Sequence, residues 1–502
     1  MRYYSTRGGA GYVTAAEAIM KGLASDGGLY VPADQAASFS IENLPAGSYQ
    51  EIANIIFKPY LTDFSPTEIE GAINTAYNTK NFDHLAIAPL HKLSDKRFVL
   101  ELWHGPTYAF KDIALQILPH LLTTAMQKTG GKTEIIILTA TSGDTGKSAL
   151  AGFRDIPGIK IIVYFPENGV SEVQKLQMTT QEGNNVMVAA VKGNFDDTQT
   201  GVKQIFSDHK LAADLERAGY RLSSANSINW GRLLPQIVYY FSAYNSLIQQ
   251  EALQPGEKIN FVVPTGNFGN ILAGYYARQL GLPINRLICA TNRNNVLTDF
   301  INSGIYDSNR PLYRTPSPSM DILISSNLER LLFELTGHDS ERLASWMQEL
   351  KKCGKYQIDR PTLQNLQELF WSDYADDDET LQSIAAVYKN DHYLIDTHTA
   401  VGKTVLAKYL SRNKDSCPTI ILSNASPFKF TGRVIKALFG EERFEKNSEL
   451  ELLKILAFET GTTVPANLAN LEQKQVKHKQ VTAREAMLDH LLSSLNSGWL
   501  EN

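Results

Sequence analysis

Lys111 lies in the stretch "LWHGPTYAFKDIALQ", residues 102–116, between Phe110 and the start of an apolar helical pattern, just after a turn built from Gly105 and Pro106. An exposed lysine at a helix start is the ordinary fate of such a residue, since lysines mostly lie on solvated faces. Its neighbours in sequence, Trp103, Tyr108 and Phe110, point to another use. A free lysine has a pKa near about 10.4, so only about one amine in a thousand is neutral at pH 7. Apolar surroundings disfavour the ammonium and lower that pKa. A neutral amine is a nucleophile that can form a Schiff base with an aldehyde.

Four further loops follow apolar, strand-like runs, the place where ligands bind in parallel α/β sheets. "TATSGDTGKS" has the Gly146-Lys147-Ser148 end of a nucleotide-binding P-loop, but Thr141 stands where that motif needs its first glycine. A β-branched residue resists the backbone conformation that cradles a phosphate. A nucleotide-dependent phosphotransferase using Lys147 is therefore the alternative from a different class, with a non-catalytic binding protein as a third. Small hydroxyl residues and free N–H groups at a helix start also suit a carboxylate or another phosphate. "PTGNFGN", residues 264–270, places Gly266 and Gly269 between a strand and a helix, which makes a phosphate cup. "SSANSINWGRLLPQ", residues 223–236, gathers Ser224, Asn226, Ser227, Asn229 and Arg232, and arginine suits bidentate binding of phosphate or carboxylate. On a helix beginning near Asn226, positions 226, 229 and 232 share a face and aim at one anion; the plainer reading is a polar cap with a surface arginine. "LSNASPFKF", residues 422–430, adds Asn424, Ser426 and Lys429 after a strand and says little alone. Two phosphate-type loops and a lysine in an apolar setting together imply a cofactor phosphate, a substrate anion and an amine nucleophile. Pyridoxal phosphate, an aldehyde with a phosphate handle and an electron-sink ring, meets that combination.

These loops need a scaffold. From about residue 97, the runs "FVLELW", "EIIILTA", "KIIVYF", "VMVAAV", "INFVVP", "RLICAT" and "TIILS" alternate with loops and helical segments, which predicts an α/β fold with a largely parallel sheet. Residues 1–90 read as helical: Thr14 and Glu17 form a capping box, and Ser65-Pro66-Thr67-Glu68 repeats it with proline at the first helical position. Residues 310–390 read as a polar, helical insertion whose acidic run 376–379 is a solvated loop or a helix start, and the chain from about 446 to 502 reads as helical. With 502 residues, 43% hydrophobic and 20% charged, the chain can bury a full core. A net charge of −5 argues against a dedicated nucleic-acid binder. Three distant cysteines give neither zinc spacing nor a disulfide framework, so no metal is expected. The N-terminus lacks the apolar core of a signal peptide and no run is long enough to cross a bilayer, so a soluble, cytoplasmic protein with no membrane partner is expected.

Taken in order, "YYSTRGG", "GLASDGGLYVP", "HGPTYAFKD", "LTATSGDTG", "SANSINWGRLLPQ", "PTGNFGN" and "LSNASPFKF" resemble the motifs of the threonine synthases. The resemblance covers most of the chain except about the last fifty residues. It implies a tryptophan-synthase-β-like pyridoxal-phosphate fold (fold type II), with a large and a small parallel-sheet sub-domain and a helical N-terminal domain. The expected organisation is residues 1–90, a catalytic unit over 91–445 with the smaller sub-domain around 130–220 and the insertion around 310–390, and a C-terminal segment over 446–502. The implied reaction is O-phospho-L-homoserine plus water giving L-threonine plus phosphate. A phospho-lyase of the same fold, releasing 2-oxobutyrate, would differ at water addition. By resemblance, Lys111 carries pyridoxal 5'-phosphate and then moves protons, and Gly266, Asn267, Phe268, Gly269 and Asn270 hold the cofactor phosphate. Ser142, Gly143, Asp144 and Thr145 face the substrate carboxylate and the cofactor ring oxygen, and Ser224, Asn226 and Arg232 receive the substrate phosphate. Asn424 stands where relatives commonly carry a hydroxyl residue beside the pyridine nitrogen.

Overall fold

The computed structural model describes residues 1–39, 41, 47–131, 133–141 and 143–496. The seven apolar runs are all strands, and they divide between two sheets. The larger sheet has the order Phe370–Tyr374, Ile284–Thr291, Ile259–Pro264, Thr419–Ser423, Arg97–Glu101, Leu90–Ser94, parallel except for its last, antiparallel pair. The smaller is fully parallel, in the order Gln480–Thr482, Val186–Val191, Ile159–Pro166, Glu134–Ala140, Tyr220–Ser223. Their central strands are covered on both faces, so every residue of Ile259–Pro264 and of Val186–Val191 is buried and the sequence runs apolar without alternation. Helix Trp230–Gln249 is buried almost all round and joins the core.

The N-terminal helices Ala15–Lys21 and Pro66–Ala76 start at the expected capping boxes, Thr14 with Glu17 and Ser65 with Glu68. The same region also carries a short antiparallel ribbon, Tyr3–Ser5 with Tyr30–Pro32. In the insertion the acidic run begins helix Asp377–Asp391, with Asp376 and Glu379 forming its capping box. This insertion is not wholly helical: Lys355–Gln357 pairs with Ile305–Asp307, and Phe370–Tyr374 forms an edge of the larger sheet.

The C-terminal segment departs from its helical reading. Gln480–Thr482 adds an edge strand beside Val186–Val191, and helix Met487–Asn496 seats Met487 and Leu491 in the core of the smaller sheet. Three residues at a sheet edge, two of them exposed, leave no apolar run to betray a strand. Among the described residues no helix is long and apolar enough to cross a membrane.

Candidate active site

Asp112 builds the turn that presents Lys111. Its buried carboxylate accepts the Thr107 N–H at 2.8 Å and the Thr107 hydroxyl at 2.7 Å. A Cβ on Gly105 would lie 2.4 Å from the Asp112 Cβ, so the carboxylate can cap this turn only with glycine there. Tyr108 takes a left-handed conformation, φ 59°. The chain then pairs briefly with the 424 loop: Phe110 N–H donates to Asn424 O at 2.8 Å, and Ser426 N–H to Tyr108 O at 3.1 Å. Helix Lys111–Leu115 begins at that point, with Lys111 at its first position.

The Lys111 side chain is 14% exposed, and its Nζ lies 3.4 Å from Ser319 Oγ and 3.7 Å from Asp144 Oδ2. Asp144 is held more closely by Lys429, whose fully buried Nζ is 2.8 Å from Oδ1 and also donates to Thr107 O at 3.0 Å. Burial lowers the Lys111 pKa; Asp144 opposes this, while Lys429 and Arg232 add to it. Burial works against the Asp144 charge, yet Lys429 and Lys111 hold its carboxyl well below the usual carboxylate range. Ser319 Oγ and Gln174 Nε2 each donate to Asp144 at 3.2 Å. Asp144 opens helix Asp144–Phe153 with Thr145 second, after Gly143 at φ 138°. Ser142 lies outside the described residues.

Gly266 follows strand Ile259–Pro264, and a Cβ on it would lie 2.9 Å from the Ser319 carbonyl oxygen. Phe268, buried at φ 64°, caps helix Gly269–Gln279, and Asn267 is exposed. The first N–H groups of that helix have no intrahelical acceptor. The Asn270 amide faces inward: Oδ1 accepts the Tyr239 hydroxyl and Nδ2 donates to Asn424 Oδ1 at 3.1 Å. Asn424 Nδ2 donates to Pro264 O at 3.1 Å.

The 223–236 segment differs from its sequence reading. The helix starts at Trp230, not near Asn226, because Asn229 is its N-cap: its Oδ1 accepts the Gly231 N–H at 2.9 Å while its Nδ2 is anchored on Ile19 O. Asn226 is exposed in the preceding loop and does not share a helix face with Arg232; Ser224 Oγ accepts the Asn226 N–H at 3.2 Å. Arg232, in the first turn, is no surface residue. It is 3% exposed, one Nη bonds Ala225 O, and its Nε is buried with no partner among the described residues. Burial lowers its pKa to about 10.

The P-loop alternative fails on geometry. The Thr141 hydroxyl accepts the N–H groups of Gly143 at 3.0 Å and Gly146 at 2.9 Å, so donors that would cradle a nucleotide phosphate are already bonded. Lys147 bonds the Gln181 side chain.

Three contributors escaped the sequence reading. Ser319, on the 3-10 turn Pro318–Met320 of the insertion, stands between Lys111, Asp144 and Gly266. His398 accepts the Ser319 N–H on Nε2 at 3.3 Å and holds Asp396 through Nδ1 at 2.8 Å. The available signal was "DTHT", in which Asp396 caps helix Thr397–Arg412 and so turns His398 inward at its second position. Asn327 donates to Asn267 O through both its backbone and its side chain, at 3.1 and 3.0 Å.

Three family descriptions match in succession: "Threonine synthase N terminus" over residues 2–77, "Pyridoxal-phosphate dependent enzyme" over 83–421 and "Threonine synthase, C-terminal" over 399–490. The threonine synthase of Pseudomonas aeruginosa is 41% identical over 479 residues, covering 91% of this chain and 98% of its own. Threonine synthase-like 1 of Pongo abelii is 42% identical over 450 residues, 87% of this chain, and this chain spans only 60% of that longer protein. The crystal structure of PLP-bound threonine synthase from Brucella melitensis superposes over 100% of both chains with a TM-score of 0.87 at 37% identity. With this coverage the chain belongs to the threonine synthase family of pyridoxal-phosphate dependent enzymes.

Proposed function

We propose that the chain converts O-phospho-L-homoserine and water to L-threonine and phosphate, with pyridoxal 5'-phosphate carried on Lys111. One observation carries this reading: a partly buried amine whose ammonium is disfavoured shares a site with a buried arginine whose Nε has no partner among the described residues. The amine suits an aldehyde, and the arginine suits an anion that the chain does not itself supply. The cofactor fits the residues present. Lys111 would hold its aldehyde carbon, the loop 266–270 its phosphate, and Asp144 would face the ring oxygen. Position 266 admits no side chain, as a cradle for a phosphate requires. Asn424 has one amide hydrogen on Pro264 O and its oxygen on Asn270, and its other hydrogen is assigned to an unprotonated ring nitrogen.

When bound, pyridoxal phosphate supplies an aldehyde that joins an amine and a ring that withdraws electrons from the neighbouring carbon. Lys111, neutral and beside the reacting carbon, takes the Cα proton as general base. Lys429 keeps Asp144 ionised and closely paired, so Asp144 holds Lys111 in place without fixing a proton on it. Thr145, with Ser142, is assigned to the substrate carboxylate at the start of helix Asp144–Phe153, while Gly143, whose N–H is taken by the Thr141 hydroxyl, shapes the turn at φ 138° rather than donating. Arg232, with Ser224 and Asn226 in the adjoining loop, is assigned to the substrate phosphate, where a fixed cation stabilises charge on the leaving group. The partner is thus a small molecule. We assign the enzyme to the cytoplasm, in keeping with its three unpaired cysteines.

Incubating the purified holoenzyme with O-phospho-L-homoserine and identifying the organic product tests the reading. Threonine and phosphate in equal amounts are expected. 2-Oxobutyrate as the main product would reject the synthase in favour of a phospho-lyase.

A further inference from the structure

Arg330 is fully buried on the third residue of helix Leu328–Leu335 in the insertion. Its guanidinium donates in three directions: Nε to Tyr30 O at 3.0 Å, Nη1 to Asn327 Oδ1 at 2.6 Å and Nη2 to Ile228 O at 2.6 Å. Tyr30 belongs to the N-terminal ribbon, and Ile228 to the loop that leads into the Arg232 helix. Asn327 extends the contact, because its Nδ2 donates to Asn267 O at 3.0 Å in the glycine loop. One cation therefore reaches a carbonyl of each phosphate-type loop, one directly and one through a single amide. The two loops also lie side by side: a Cβ on Gly269 would be 3.9 Å from the Ser227 Cβ and 3.5 Å from Asn327 Nδ2.

Arg330 has no ion-pair partner among the described residues, and the adjacent Glu329 favours its charge only through space. Its neighbour Glu329 is taken by the N-terminal "STR" segment: Thr6 donates at 2.6 Å and Arg7 at 3.0 and 2.9 Å. Among the described residues no acidic group lies within ion-pair distance of Arg330, and all three of its acceptors are neutral oxygens. A buried cation held only by neutral acceptors is costly, and it favours anions placed nearby. A planar fork can satisfy three divergent acceptors at once, which the single ammonium of a lysine cannot do with the same geometry.

We propose that Arg330 is a positioning residue for both phosphate-binding loops, 224–229 and 266–270, so that the cofactor phosphate and the substrate phosphate are received by loops with one common support. This rests on the assignment of those loops given under the proposed function.

The test uses Arg330→Lys and Arg330→Met in the full-length enzyme. Two constants are measured on folded protein: the Kd of pyridoxal phosphate, from visible absorbance on reconstitution, and the inhibition constant of inorganic phosphate against O-phospho-L-homoserine. Thermal unfolding is recorded alongside. Both constants should rise by about tenfold or more in Arg330→Lys, which keeps the charge and loses the fork. Asn327→Ala, which removes the side-chain link from Arg330 to the glycine loop and keeps the backbone bond to Asn267 O and the Arg330 bond to Ile228 O, should raise the cofactor Kd and leave phosphate inhibition within about twofold of wild type. If Arg330→Met does not fold, the lysine variant and Asn327→Ala still decide. Arg330→Lys that lowers the unfolding temperature while leaving both constants unchanged, or that moves only one, overturns the proposal. Wild-type enzyme that binds no pyridoxal phosphate, or that phosphate does not competitively inhibit, would instead overturn the loop assignment and the link with it.

Discussion

Lys429 lies closer to Asp144 than Lys111 does, 2.8 Å against 3.7 Å, and that difference bears on the charge of the Lys111 amine. A carboxylate paired first with Lys429 offsets only part of the burial of Lys111, whose pKa therefore falls. Asp144→Asn should leave the fully buried Lys429 with no ionic partner, and breaking a buried pair from one side costs about 3–5 kcal/mol. Urea unfolding of the variant measures this, and a loss below about 1 kcal/mol would mean the pair is no stronger than an exposed one. Arg232→Ala should lower kcat/KM about ten- to a hundredfold through loss of a charge-assisted hydrogen bond worth about 1.5–3 kcal/mol, while the visible spectrum of the bound cofactor persists. Loss of cofactor with normal kinetics after reconstitution would mean the two phosphate loops are assigned the wrong way round. Lys111 could be singled out as a candidate in the sequence because it sits among local signals, a glycine-proline turn and aromatic neighbours. Ser319 could not, because it reaches the site from 208 residues away on a turn with no chemical signature of its own.

At the scale of elements, the glycine loop leaves little room for substitution. Gly266→Ala would push a methyl group to 2.9 Å from a backbone oxygen of Ser319, so the insertion or the loop must move. The expected outcome is weaker cofactor binding with a smaller effect on unfolding, read by absorbance titration beside thermal melts; unchanged cofactor Kd would remove the loop from the cofactor site. The strands and capped helices were readable because burial on both faces and helix starts leave local marks, as in "INFVVP" and in Thr14 with Glu17. The start of the Arg232 helix was not, because Asn226 and Asn229 are equally good caps by residue type. Only the tertiary anchor of Asn229 on Ile19 O selects between them. The edge strand Gln480–Thr482 was hidden for a similar reason: its pairing with Val186–Val191 is nonlocal and its own residues are polar or exposed.

Across the whole molecule, His104 fastens the N-terminal region and the larger sheet behind the Lys111 turn. Its side chain, 11% exposed, lies between Asp83 at 2.6 Å and Glu101 at 2.7 Å, and Glu101 also bonds Tyr393. Burial disfavours its charge, but the two carboxylates raise its pKa from 6.5 to about 9. A group whose folded pKa is raised contributes stability that is complete below its unfolded value of 6.5 and is lost as pH rises through about 9. A shift of this size corresponds to on the order of 3 kcal/mol. Lys147, lowered by burial to about 7, acts with the opposite sign above that pH, so the pH dependence of wild type alone would mix the two. The difference in unfolding free energy between wild type and His104→Gln isolates the histidine. It should shrink between pH 6.5 and 9, and a constant difference would contradict the ion-pair account.

The central claim is that Lys111 is the amine that carries the cofactor. Borohydride reduction of the holoenzyme, followed by peptide mapping, tests it most directly. The pyridoxyl group is expected on the peptide containing Lys111, and Lys111→Ala should show neither that adduct nor turnover. A pyridoxyl group on Lys147, Lys429 or another lysine, or full turnover in Lys111→Ala, would contradict the account.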